Sequence, residues 1–152
     1  MRSFSIFIVS AIVSLSALAA VDNDTSLVLE PQMEQRYASN LATKFLTNWH
    51  YKDTRLDDEL SSQIFDGYID LLDPNKIYFL STDIDQFERY RIGLDDSLRH
   101  SDLSPAYEIF NVYIDRVRQR VNYTRERVKQ PFDFTVDEFY RFDREDEPWA
   151  SN

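Results

Sequence analysis

Cysteine is absent from the chain, and glycine occurs only twice, at Gly67 and Gly93. Without thiols there is neither a disulfide nor a thiolate nucleophile, so an exported domain of this composition must hold together by core packing. Two glycines are too few for the tight hairpins and bulges of an all-β fold. Histidine is as scarce. His50 and His100 each fall at the polar end of a helical segment, where a cation beside the helix C-terminus is the ordinary role and catalysis the rare one. No glycine-rich phosphate loop and no internal repeat is present. Asp73-Pro74-Asn75 begins like a calcium loop, but Tyr78 stands where that loop needs glycine and Ile84 where it needs glutamate. The acidic groups Asp57-Asp58-Glu59, Asp83/Asp85 and Asp95-Asp96 lie in or near first helical turns, where they complement the helix dipole. The expected set of catalytic, cofactor-binding and metal-ligating residues is therefore empty, and no cofactor is expected.

What is present points to export. Arg2, the apolar run Phe4 to Leu15 and Ala17-Leu18-Ala19 have the three parts of a cleavable signal peptide, expected over 1–19. The apolar run is short of the roughly 20 residues a spanning helix needs. No cysteine is available for lipid attachment, so the processed product is expected to be soluble, and a disulfide-free exported protein suits a Gram-negative periplasm. With 17 basic and 27 acidic residues the formal charge is −10. A surface of that sign repels nucleic acid and anionic lipid, so neither is an expected partner.

The five prolines, at 31, 74, 105, 131 and 148, fall between apolar-periodic runs and never inside one. That is the punctuation of a helical chain. After a polar lead-in over 20–30, Met33, Tyr37, Leu41, Phe45 and Trp49 recur every fourth residue, with Leu46 beside them. The period predicts a helix with these residues as its core face. Asp57 is placed to cap a second helix whose buried stripe is Leu60, Ile64, Phe65, Tyr68 and Leu72, ended by Pro74. An extended Ile77–Leu80 leads to a third helix capped by Ser81 or Thr82 and carrying Ile84, Phe87, Leu94 and Leu98. Gly93 allows a break there. Ser104, as a capping hydroxyl, and Pro105 at the first turn start the longest helix, with Ala106, Phe110, Tyr113, Val117, Val121, Thr124 and Val128 on one stripe. Its other faces carry Arg116, Arg118, Arg120, Arg125, Arg127 and Lys129, which can pair with acidic neighbouring helices or dock an acidic partner. Thr135-Val136-Asp137-Glu138 has capping-box spacing and predicts a short helical turn. The expected fold is all-α, a bundle of about four main helices plus that C-terminal turn, with the domain over 31–152.

Phe65-Asp66-Gly67-Tyr68-Ile69-Asp70-Leu71-Leu72-Asp73-Pro74-Asn75-Lys76-Ile77-Tyr78-Phe79-Leu80, then Asp83-Ile84-Asp85-Gln86-Phe87, resembles the N-terminal domain of the tail-specific (carboxy-terminal processing) proteases of Gram-negative bacteria. A second block resembles the same domain at the matching distance: Pro131-Phe132-Asp133-Phe134-Thr135, Asp143-Arg144 and Pro148-Trp149. The resemblance implies a periplasmic or membrane-associated serine endopeptidase that degrades or trims proteins from apolar C-terminal tails. It works through a serine–lysine dyad and a PDZ domain. The N-terminal helical domain is non-catalytic there, framing substrate and helping to dock an adaptor protein. No residue here matches the dyad: Ser81, Ser101, Ser104, Lys44, Lys52, Lys76 and Lys129 have no claim to it. The expectation is a tail-specific protease domain that stops before the PDZ and protease segments, with a free-standing exported interaction module as the alternative. If the family's following helices are missing, Phe132, Phe134, Phe139 and Trp149 should form an exposed apolar patch.

Overall fold

The computed structural model describes residues 28–49 and 55–151. The expected signal peptide, most of the lead-in, His50 and Lys52 lie outside the described residues. Helix α1 runs Met33–Asn48, and the Gln32 N–H at its start donates to Gln35 Oε1 at 2.8 Å. Helix α2, Asp58–Leu72, opens as its sequence dictates: Asp57 accepts from the Leu60 N–H at 3.0 Å. It ends one residue before Asp73-Pro74, since proline can neither donate to the helix ladder nor leave its predecessor helical. Helix α3, Ser81–Phe87, continues as a 3₁₀ turn over Glu88–Tyr90. The chain then breaks, and Gly93 precedes helix α4, Leu94–Arg99. Helix α5, Ser104–Arg127, is 24 residues, or about 36 Å at the usual rise. The described residues are thus helical, joined by turns and by one isolated parallel bridge between Leu80 and Ala150.

The expected caps of α3 and α5 differ in detail. Neither Ser81 nor Thr82 caps α3; instead the Asp83 carboxylate reaches back to accept from the Leu80 N–H at 2.9 Å. Ser104 does not accept at the start of α5 but gives both its N–H, at 3.0 Å, and its hydroxyl, at 2.6 Å, to Asp102 Oδ1. A carboxylate nearby outcompetes a hydroxyl for these donors because it is the stronger acceptor. Likewise Thr135 begins no helix. Its N–H and hydroxyl both go to Asp133 Oδ1, at 2.9 and 2.6 Å, closing a local turn of the kind aspartate favours over helix.

The core is small and sits where α2, α3, α4 and the first half of α5 converge on the Pro74 corner. Phe65, Ile69, Phe79, Phe87, Leu94 and Ile109 are its buried members. Phe79 is the hub: its ring meets Phe87 edge-on at 5.5 Å, Tyr113 at 5.8 Å and Trp149 at 6.1 Å. Trp149, three residues from the end of the sequence, is therefore held by packing, and the Lys76 ammonium lies 5.6 Å from its ring centroid. The break at Gly93 is braced from α2. The fully buried Ser61 donates to the Arg91 carbonyl and accepts from the Leu94 N–H, both at 2.8 Å. The first N–H of α4, which its own helix cannot satisfy, thus finds a partner on α2.

Helix α1 departs from the expectation. None of its residues is buried. Met33, Tyr37, Leu41, Phe45, Leu46 and Trp49 are between 46% and 77% exposed. The regular apolar period makes the helix amphipathic, as read, but no element of the described chain covers that stripe. What holds α1 is its other side. Asn40 donates to Ser101 Oγ at 3.1 Å, and the lead-in pairs with α5 through Asn111. The Asn111 side-chain amide takes the Leu29 N–H and gives to the Leu29 carbonyl, both at 2.9 Å, as a strand neighbour would.

Candidate functional site

Two polar centres fix the corner around which the exposed surfaces are arranged. The first is Asp73, 1% exposed. Its Oδ1 accepts from the Ile77 N–H at 2.8 Å, and its Oδ2 from the Tyr78 and Phe79 N–H groups at 2.8 and 2.9 Å. The carbonyl of the same residue accepts from Lys76, which turns through the left-handed region at φ 52°. One side chain thereby satisfies the extended segment that no strand pairs, so Phe79 can enter the core with its backbone paired. Lys76 in turn donates to the Glu147 carbonyl at 2.8 Å, and Ser81 to that of Ala150, also at 2.8 Å. These bonds tie the C-terminal segment to the corner.

The second centre is Asp83, 5% exposed, which receives the Arg116 guanidinium in a two-pronged pair with both distances 2.8 Å. Burial pushes the Asp83 carboxyl up, but the hydrogen bonds from Arg116 and the Leu80 N–H, with the guanidinium's charge, outweigh it and hold the group below the usual carboxylate range. Arg116 is raised in turn by that hydrogen bond. This pair joins α3 to α5 at the point where the core ends.

Several of the residues weighed for chemistry have structural partners. His100 is exposed and its Nδ1 donates to the Asp96 carbonyl at 2.7 Å. Ser101, at φ 57°, holds α1 through Asn40, and Lys129 pairs with Glu126 on its own helix at 2.6 Å. No group of three or more histidine, aspartate or glutamate side chains among the described residues could hold a metal ion.

The surface, by contrast, is apolar over long stretches. Besides the α1 stripe, Phe132, Phe134, Val136, Phe139, Tyr140 and Phe142 are exposed, with Phe134 at 91%. Phe132, Phe134 and Phe139 are exposed as expected, whereas Trp149 is drawn into the core edge. A third feature is an open groove of about 660 Å³ between the lead-in and α5, lined by Val28, Leu29, Tyr68, Tyr107 and Phe110 among others. Tyr68, whose hydroxyl donates to the Ala106 carbonyl at 3.1 Å, lines the groove, and burial, then the nearby Tyr107, pushes its pKa above the usual tyrosine value. No helix among the described residues is long and apolar enough to cross a membrane. Sequence reasoning saw the aromatics of α1 but placed them inside. The groove it missed, because Asn111, which folds the lead-in over α5, carries no periodic signal.

The described residues thus form a small helical domain with a packed centre around Phe79 and exposed aromatics along α1 and the segment after α5. The family model for the tail-specific protease N-terminal domain matches residues 42–152, and the chain belongs to that family. It is 37% identical over 113 residues to the tail-specific protease of Haemophilus influenzae, an alignment covering 74% of this chain and 16% of the relative. The chain thus spans about one sixth of the length of that relative.

Proposed function

We propose that this chain is the non-catalytic N-terminal helical domain of a periplasmic tail-specific serine endopeptidase, and that it frames substrate and docks an adaptor protein through the outward face of α1. The observation that carries this reading is the regular apolar stripe Met33, Tyr37, Leu41, Phe45 and Trp49, exposed on a helix that has no buried residue. An apolar face of that extent on a domain of this family favours protein contact, since solvent-facing monomers rarely keep one. Aromatic side chains favour it further, because they offer large contact area at little conformational cost. Family membership supports the protease context and the similarity to the Haemophilus influenzae protease supports export. Cleavage itself belongs to segments outside this chain, where the dyad and the PDZ domain reside in the family.

The test is a hybrid in which this chain replaces the matching segment of the Haemophilus influenzae protease, compared with a version lacking the segment. The hybrid is expected to degrade a folded protein bearing an apolar C-terminal tail. The version without the domain should lose at least tenfold on that protein while still cutting a short tail peptide. Cleavage by the chain alone, or equal loss on protein and peptide, would contradict the framing role.

A further inference from the structure

The second half of α5 is a helix without a core. Beyond Arg116 it has no buried residue, and Val121 and Val128 are 40% and 61% exposed. Successive residues turn by about 100° around a helix. Val117, Val121 and Val128 therefore run down one line, with Arg118 and Arg125 along one flank and Arg120 and Arg127 along the other. Across to another helix, only Arg116 of this basic series has an acidic partner among the described residues. Arg118 pairs with Asp115 and Lys129 with Glu126, each three residues away on α5 itself, and Arg127 lies 4.4 Å from the Phe132 ring centroid. The outcome is a basic, apolar-centred strip on a protein whose formal charge is −10.

The segment that follows is its complement. Residues 132–147 carry seven acidic side chains and two basic ones, Arg141 and Arg144, for a formal charge of −5. Among the acids stand Phe132, Phe134, Phe139 and Phe142, the last three more than 80% exposed. This arm is tied at both ends, by Arg127 against Phe132 and by Lys76 on the Glu147 carbonyl. Between the ties its rings face solvent and touch mainly one another, Tyr140 meeting Phe142 edge-on at 5.0 Å. A connection of this length with no helix or strand of its own is usually either functional or a linker, and its charge and exposed rings favour the first.

We infer that the acidic aromatic arm over 132–147 of one copy seats on the basic strip over 118–129 of a second copy, and reciprocally, forming a two-fold dimer. Each chain carries both halves of the pair, so a two-fold axis satisfies both arms at once. Charge of opposite sign sets the register, and the phenylalanines cover the valine line. Three free rings per arm, Phe134, Phe139 and Phe142, at about 150 Å² each, give from two arms on the order of 900 Å², and the valines and arginine stems they cover bring the total near the lower bound of a stable interface. The association is therefore moderate in strength and sensitive to salt.

The experiment is sedimentation equilibrium on the chain purified from cells expressing all 152 residues, at low and high salt. The wild type is expected to be dimeric at tens of micromolar, with the dissociation constant rising at least tenfold at high salt. R118E/R125E and F134S/F139S should each give monomers with unchanged helical circular dichroism, because these positions lie outside the core. The arm reversal D137K/E138K should likewise be monomeric, yet form a heterodimer when mixed with R118E/R125E. A monomeric wild type, a dimer indifferent to salt and to both variants, or no recovery on mixing the two reversals would overturn the inference. None of these outcomes bears on proteolysis, so the proposed function stands or falls separately.

Discussion

Asp73 shows how one side chain can replace a strand. Three consecutive backbone N–H groups converge on its carboxylate, and without it that of buried Phe79 and those of half-buried Ile77 and Tyr78 would lose their partner. Hydrogen bonds to a charged group are worth about 1.5–3 kcal/mol each, though not additively. Asp73→Ala should therefore destabilise the domain by about 3 kcal/mol or more in urea denaturation, while Asp73→Asn, which keeps one acceptor, should cost visibly less. Asp83 gives the pH dependence. Its carboxyl is lower in the folded protein than in the unfolded chain, so its contribution is complete above the ordinary aspartate value of about 4 and is lost as pH falls through the folded value. Thermal melts from pH 6 down to pH 2 should show a decline that Asp83→Asn flattens. An unchanged slope would mean the Arg116 pair does not stabilise the fold. The sequence showed Asp83 as an acid near a first helical turn, but Asp73 only as the start of a failed calcium loop and part of the family string. That Asp73 accepts from residues four to six positions on could not be read from spacing, because it depends on the left-handed turn at Lys76.

At the scale of the element, α5 separates a packed half from a free one. The apolar period drew attention to Ala106, Phe110, Tyr113 and Val117, yet the fully buried residue is Ile109. The core line is Pro105, Ile109, Val112 and Arg116, with Tyr113 of the expected stripe packed at its edge, so the buried side is rotated part of a turn from that stripe. Periodicity fixes that a helix has an apolar side but not which edge of that side meets the neighbour. The charged end of the line, Arg116, was the available clue, since only a residue facing α3 could reach Asp83. Ile109→Ala should cost about 3 kcal/mol, in the usual range for a filled core site. Val121→Ala, on the free half, should cost about 0.5 kcal/mol or less. Equal losses in equilibrium unfolding would show that the distal half is packed after all. The helices themselves, their proline boundaries, the Asp57 cap and the break at Gly93 were legible, because each is a local matter of propensity and capping. The cap partners at Asp83 and Asp102, and the turn at Asp133, were not, because there a carboxylate displaced the hydroxyl the pattern favoured.

For the molecule as a whole, the decisive departure is α1. Its stripe is as regular as any in the chain, and regularity is what sequence reasoning takes for a core face. A core face, however, needs a covering element, and the described chain supplies none for these aromatics. The same division runs through the arm over 132–147. The domain thus has a small packed centre around Phe79 and broad apolar margins. Those margins, on a member of the tail-specific protease N-terminal family, are what the proposed contact with other protein rests on. The most direct measurement pairs stability with activity in Y37S/W49S, at positions 73% and 75% exposed. Serine ranks with tyrosine and tryptophan in helix propensity, so the exchange itself is close to neutral for the helix. The unfolding free energy of the isolated chain should change by less than about 1 kcal/mol. In the hybrid protease, degradation of the tail-bearing protein should fall at least tenfold. A stability loss of about 3 kcal/mol or more, the range for truncating a buried aromatic, or degradation unchanged in the hybrid, would contradict the account.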